Sequence, residues 1–216
     1  MSLIQRVLNT AKDRRERILS GKVNCIPSPF KTFRYDFPGV ELGTYYLVSG
    51  GAKSSKSKLT NFLFLFNTVI YAYEHPELVR LKIFYALLEE KAENITGKFI
   101  CYLLYKLSKG KIRIDIKTFK SVDEGRILSA DILELLNTLE YQAILNFYED
   151  HVVFIPDRNP TGIYHTLEKY AEANGTIHRK KVEGYEKEVF DYYEPNDPDE
   201  YVMCIIDHIG LEISRP

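Results

Sequence analysis

Between Ser49 and Ser57 the chain reads SGGAKSSKS, small residues punctuated by two lysines and closed by a hydroxyl. That grouping suits polyphosphate chemistry. Small residues let backbone N–H groups turn inward around phosphate oxygens, a lysine reaches the outer phosphates, and a hydroxyl meets a magnesium ion. Laid on Gly50, the pattern G-x-x-x-x-G-K-[ST] puts Lys56 and Ser57 in the last two roles. It puts Ser55 where the second glycine belongs, and a side chain there crowds the backbone approach that glycine permits. Lys53, a second cation inside the loop, offers compensation by touching phosphate oxygens. The candidate phosphate-contacting set is Gly50, Gly51, Ala52, Lys53, Ser54, Ser55, Lys56 and Ser57. The plain alternative is a polar turn that binds nothing.

Two carboxylates extend this chemistry. Asp207 ends the hydrophobic run YVMCIID and is placed to hold magnesium, directly or through water, opposite Ser57. Glu89 ends the run RLKIFYALLE and is placed to polarise an attacking water as general base. Glu90 is its nearest rival and points the other way if the strand continues. A hydrophobic run ending in an acid is common, so neither residue argues alone; the joint arrangement with the loop carries the inference.

The elements that must position these groups follow from pattern. Tyr45–Val48 reads as a strand entering the loop, and Lys56–Tyr73 as the helix leaving it, closed by Glu74, His75 and Pro76. Arg80–Leu88 is a near-continuous apolar run, typical of a strand buried on both faces of a parallel sheet. A helix follows with Phe99, Ile100, Leu103, Leu104 and Leu107 on one face and Gly110 at its stop. Residues 111–120 are ambiguous, and 129–149 hold one or two helices capped by Ser129. His151–Ile155 reads as a third strand. Asn159-Pro160 opens a helix to Ala173, with Asn159 and Thr161 as capping residues rather than ligands. Residues 176–193 alternate about Gly184 and read as a β-hairpin excursion. Its basic arm, His178 to Lys181, could touch nucleic acid but is more simply a solvated face. Tyr201–Asp207 is the last strand. Leu3, Ile4, Val7, Leu8 and Ala11 make residues 2–20 an amphipathic helix stopped by Gly21. It is expected to pack on its own domain or on a neighbouring subunit.

Strands separated by helices, without polar alternation, predict an α/β fold with a mainly parallel sheet flanked by helices. Ligands of such sheets lie outside the carboxyl ends of the strands. The loop, Glu89 and Asp207 are all expected there.

Composition narrows the classes. With 216 residues and a net charge of −1, the chain suits one domain with no global field for nucleic acid or anionic membranes. The three cysteines, Cys25, Cys101 and Cys204, are widely spaced and fit reduced thiols in a cytoplasmic setting. The amino terminus lacks a signal-peptide core, and no apolar run approaches the roughly 20 residues of a membrane span.

Taken together, these motifs resemble the RecA-like ATPase core of the DnaB-type replicative helicases, particularly the divergent versions of tailed bacteriophages. YYLVSGGAKSSKSKL is similar to that family's phosphate loop, IFYALLEE to its strand ending in the catalytic glutamate, and YVMCIIDHIGLE to the strand bearing its magnesium-associated aspartate. FPGVELGTYYLVSGG and the spacing DYYEPNDPDEYV also look like the phage versions. The resemblance covers the chain from about Asn24 onward, and the order of the three motifs makes it specific. It implies residues 1–22 as a linker-type helix and 23–216 as a P-loop NTPase core. It implies ATP and Mg2+ as ligands, with Lys56 and Glu89 catalytic and Ser57 and Asp207 on the metal. A homo-oligomer (hexameric in the family), single-stranded DNA as partner of the full-length or assembled form, and host-cell cytoplasm as location are also implied. Ser55, Ser57, Leu87 and Glu90 depart from the family pattern. The family's later strands, DNA-binding loops and arginine finger lie beyond the position of Pro216, so the resemblance implies a core incomplete at its carboxyl end. Two functions follow as expectations: ATP hydrolysis within a DNA-unwinding motor, or a degenerate ATPase domain serving as a non-catalytic nucleotide-binding or assembly module. A small-molecule phosphotransferase is the third class, without a readable substrate lid.

Overall fold

The computed structural model describes residues 2–51, 53–182, 184 and 188–207. The chain divides into two compact units, Met1–Arg80 and Leu81–Pro216. Among the described residues no helix is long and apolar enough to cross a membrane.

The first unit opens with helix α1 (Leu3–Leu19), begun by Ser2, whose hydroxyl accepts from the Gln5 amide at 3.2 Å. Gly21, at φ 81°, turns the chain out of the helix in the left-handed region that glycine tolerates. No residue of α1 is buried, and Leu3, Ile4, Val7 and Leu8 face water. Short strands β1 (Ile26–Pro27) and β2 (Gly39–Val40) pair antiparallel. A Cβ at Gly39 would lie 2.0 Å from the Ile26 carbonyl oxygen, so this crossing admits no side chain. A 3-10 turn (Thr32–Tyr35) joins the two strands.

Helix α2 (Lys56–Thr60) passes through a π-helical turn (Asn61–Phe66) into α3 (Asn67–Glu74) without a break. The wide turn is buried and sealed from within. The Thr68 hydroxyl, fully buried, meets the carbonyls of Phe64 and Leu65 at 2.8 and 2.9 Å. Asn67 ties the run to β1 by donating to the Pro27 carbonyl at 3.0 Å.

The second unit is built on strand β3 (Arg80–Ala86), where Leu81, Ile83, Phe84, Tyr85 and Ala86 are all buried. Helices α4 (Ala92–Leu107), α5 (Ile116–Phe119), α6 (Ala130–Leu136) and α7 (Leu139–His151) follow. Then come β4 (Val152–Ile155), α8 (Pro160–Asn174), the strands β5 (Gly175–Lys180) and β6 (Val189–Pro195), and β7 (Glu200–Ile206). The sheet is parallel and three-stranded, ordered β4-β3-β7, with Ile83 opposite Val152 and Ala86 opposite Ile155. Alternation along β3 sends its side chains to both faces, as a buried central strand requires. Phe84 and Ala86 join Leu88, Ile155 and Ile163 in one cluster, with Leu167 and Tyr170 of α8 packed on it. On the other face Tyr85 meets Phe154, and Phe99 of α4 stacks on Tyr148 of α7 at 4.4 Å. Helices thus flank both sides of the sheet, the α/β arrangement expected from the pattern. The β5–β6 pair is antiparallel, as the alternation about Gly184 predicts; residues 183 and 185–187 lie outside the described residues.

Candidate functional site

The loop departs from expectation where it should begin. Residues 44–50 form no strand. Tyr45 and Leu47 are 77% and 68% exposed, whereas Tyr46 turns in against Phe37 and Phe64. Its hydroxyl donates to the Gly39 carbonyl at 3.1 Å and accepts from the Glu41 amide at 2.9 Å. An aromatic cluster and two hydrogen bonds to the chain just upstream hold this stretch as a loop, and the apolar run alone misreads it.

Beyond it the glycines and lysines behave as a turn closed on itself. The Lys56 ammonium donates to the carbonyls of Gly50 and Gly51, each at 2.8 Å. The Ser54 amide reaches the Gly51 carbonyl at 3.3 Å, and a Cβ at Gly50 would meet the Ser54 Oγ at 2.7 Å. Lys53 and Ser55 both take left-handed backbone conformations, φ 59° and 65°. Non-glycine residues adopt that region at a cost, so the loop stores strain at two positions. Ser55 then starts α2, and its carbonyl accepts from the Leu59 amide at 3.0 Å. Ser57 is half-buried in the first helical turn, and Ala52 lies outside the described residues. The loop brings together two lysine side chains, the Ser57 hydroxyl, and glycine backbone that at Gly50 leaves no room for a Cβ.

In the second unit Glu89 and Asp207 leave the same carboxyl edge of one sheet, after β3 and β7. Glu89 is exposed and Asp207 half-buried. Their neighbours are firmly placed. The Leu87 amide donates to the Ile155 carbonyl at 2.9 Å, and Leu88, 7% exposed, fills the cluster beside Phe84 and Ile163. Glu90 is taken by a cation: both carboxylate oxygens lie 2.6 Å from the Lys98 ammonium. Glu89, the exposed acid of this turn, precedes that ion pair by one residue.

The same edge carries a third acid, Asp157, which follows β4. Its carboxylate packs on Gly162 in the first turn of α8, where a Cβ would come within 2.7 Å of its Cγ. Asn159 caps that helix, accepting from the Gly162 amide at 2.7 Å. VVFIPD repeats the pattern of YVMCIID, a hydrophobic strand running into an aspartate, and that signal could have singled it out. Among the described residues no three His, Cys, Asp or Glu side chains gather closely enough to hold a metal ion. The basic arm of the hairpin is matched by carboxylates: Arg179 to Glu168 and Lys180 to Asp191, each at 2.7 Å, and His178 to Glu194 at 3.2 Å. The Arg179 hydrogen bond, with that of the Tyr164 hydroxyl behind it, lowers the Glu168 pKa.

No family model, curated protein or solved structure matches the chain.

Proposed function

We propose that this chain is a P-loop NTP-binding protein of the replicative-helicase type, binding ATP with Mg2+. One observation carries the reading. The residue at the motif's second glycine position, Ser55, holds the left-handed conformation (φ 65°, ψ 25°) that glycine would adopt without cost. The backbone there has the shape a glycine takes; Lys53, Lys109 and Ser121 also take positive φ, so the weight lies in this shape standing immediately before Lys56-Ser57 at the motif's spacing.

In this proposal Gly50, Gly51, Lys53 and Lys56 take the phosphates. Ser57 of the first unit would offer its hydroxyl, and Asp207 of the second its carboxylate, as magnesium ligands; the ion, when bound, would neutralise charge on phosphate oxygens. Glu89 takes a proton from the attacking water. The working form is a cytoplasmic homo-oligomer acting on single-stranded DNA, since hydrolysis in this class draws on a cation from a neighbouring subunit. Titration with Mg–ATP tests it. Lys56→Ala is expected to weaken binding at least about 10-fold, the loss of a charge-assisted contact worth ~1.4 kcal/mol or more. Equal affinity of the two proteins would end the reading.

A second reading, nucleotide binding without turnover, has its own support. The Lys56 ammonium is already engaged by two carbonyls, which phosphate must displace, and the Ser55 side chain stands where the motif has none. ATP turnover stimulated by single-stranded DNA favours the motor; tight binding with no turnover favours the module.

A further inference from the structure

We infer that Lys98 is a positioning residue that fixes the turn presenting Glu89; this rests on the assignment of Glu89 as general base. The turn from Leu87 to Lys91 is pinned at three points around that glutamate. Before it, the Leu87 amide bonds to Ile155 of the neighbouring strand, and the Leu88 side chain is buried in the sheet cluster. After it, Glu90 is gripped through both oxygens by Lys98.

Lys98 lies two helical turns inside α4, whose first turn is closed by the Asn94 and Ile95 amides on the Lys91 carbonyl. Its side chain runs back along the helix to reach Glu90, so the grip fastens the turn to a rigid element. The pair is partly shielded, with side chains 32% and 24% exposed. A pair of this kind adds little to global stability. Its effect is local: with Glu90 held aside and Leu88 buried, the backbone is anchored on both sides of Glu89, and a general base acts only within hydrogen-bond reach of its proton.

The test compares the full chain with Lys98→Met, Lys98→Arg, Glu90→Gln and Glu89→Gln in steady-state Mg–ATP hydrolysis, alongside amide hydrogen exchange of residues 87–90. Lys98→Met and Glu90→Gln are expected to lower kcat about 10-fold with KM for ATP within about twofold, the signature of a misplaced group rather than lost binding. Lys98→Arg keeps the ion pair and restores most of the rate. Exchange of the turn amides speeds up in Lys98→Met while the melting temperature holds. A kcat for Lys98→Met within about twofold of the parent, or unchanged exchange, overturns the proposal. If the parent protein turns over no ATP, the base assignment of Glu89 falls and the positioning role with it; faster exchange in Lys98→Met then marks the ion pair as structural only.

Discussion

Residues 87–91 and residues 49–55 both follow apolar runs and precede helices, yet the chain fixes one and props the other. The first turn is anchored by a backbone bond to β4, a buried leucine and a two-oxygen ion pair. The second is exposed and held chiefly by Lys56 on two carbonyls, with strain at Lys53 and Ser55. The contrast suits a division of labour. Under the ATP-binding proposal, the general base takes rigid backing from the core, whereas the phosphate loop takes its shape from its own Lys56. The anchored turn derives its shape from the core; the propped loop derives its shape from itself.

Substitutions can break or sharpen this difference. Leu88→Ala removes a buried side chain behind the anchored turn and is expected to cost about 3 kcal/mol in chemical denaturation; a cost under about 1 kcal/mol would show that the turn is not core-backed. Alkali probes the same unit from the other sheet face. Burial pushes the Tyr148 hydroxyl from 10.0 up to about 12. Its neutral form is the one the fold favours, so its contribution, at most roughly 2–3 kcal/mol, is full below pH 10 and lost as pH rises toward 12. Tyr148→Phe should flatten that decline in pH-dependent unfolding. On the propped side, Ser55→Gly is expected to raise stability by about 0.5–1 kcal/mol through relief of the left-handed serine; a loss would mean that the serine side chain makes a compensating contact. Smallest is Gly51→Ala. A Cβ there meets nothing within 4 Å, so the melting curve should shift by no more than about 0.5 kcal/mol equivalent. Under the ATP-binding proposal its Mg–ATP affinity should nevertheless fall.

Where hydrophobic pattern and tertiary environment agree, the chain could be read directly. RLKIFYA is the central strand because an unalternating run suits burial on both faces. Asn159-Pro160 starts a helix because its amide oxygen and fixed φ satisfy the first turn. Gly110 and Gly21 stop helices at positive φ, where a side chain would be strained. The misreadings have local causes. Tyr45–Val48 has strand composition, but the Tyr46 hydroxyl finds partners at Gly39 and Glu41 and leaves the run unpaired with any strand. Asp157 has the strand context of Asp207, but the adjoining Asn159-Pro160 gives the stronger local signal, that of a helix start. The wide turn at Asn61–Phe66 leaves no mark in NFLFLF, because apolar spacing is read at helical period and one surplus residue hardly disturbs it. Ser55 carries no sequence sign of its backbone conformation; only the empty glycine position hints at it.

That surplus residue has a consequence for anything attached to the front of the helix. A π turn spreads its backbone bonds over one more residue than an α turn, resetting the angular phase by ~100°. Lys56 and Ser57 therefore point along a bearing that Asn67 and Thr68, locked to Pro27 and the inner carbonyls, would not dictate through an unbroken helix. Deleting one residue between 61 and 66 would swing the entire loop around the axis while leaving the rear of the helix seated, making this stretch a dial for the direction in which the lysine and hydroxyl face.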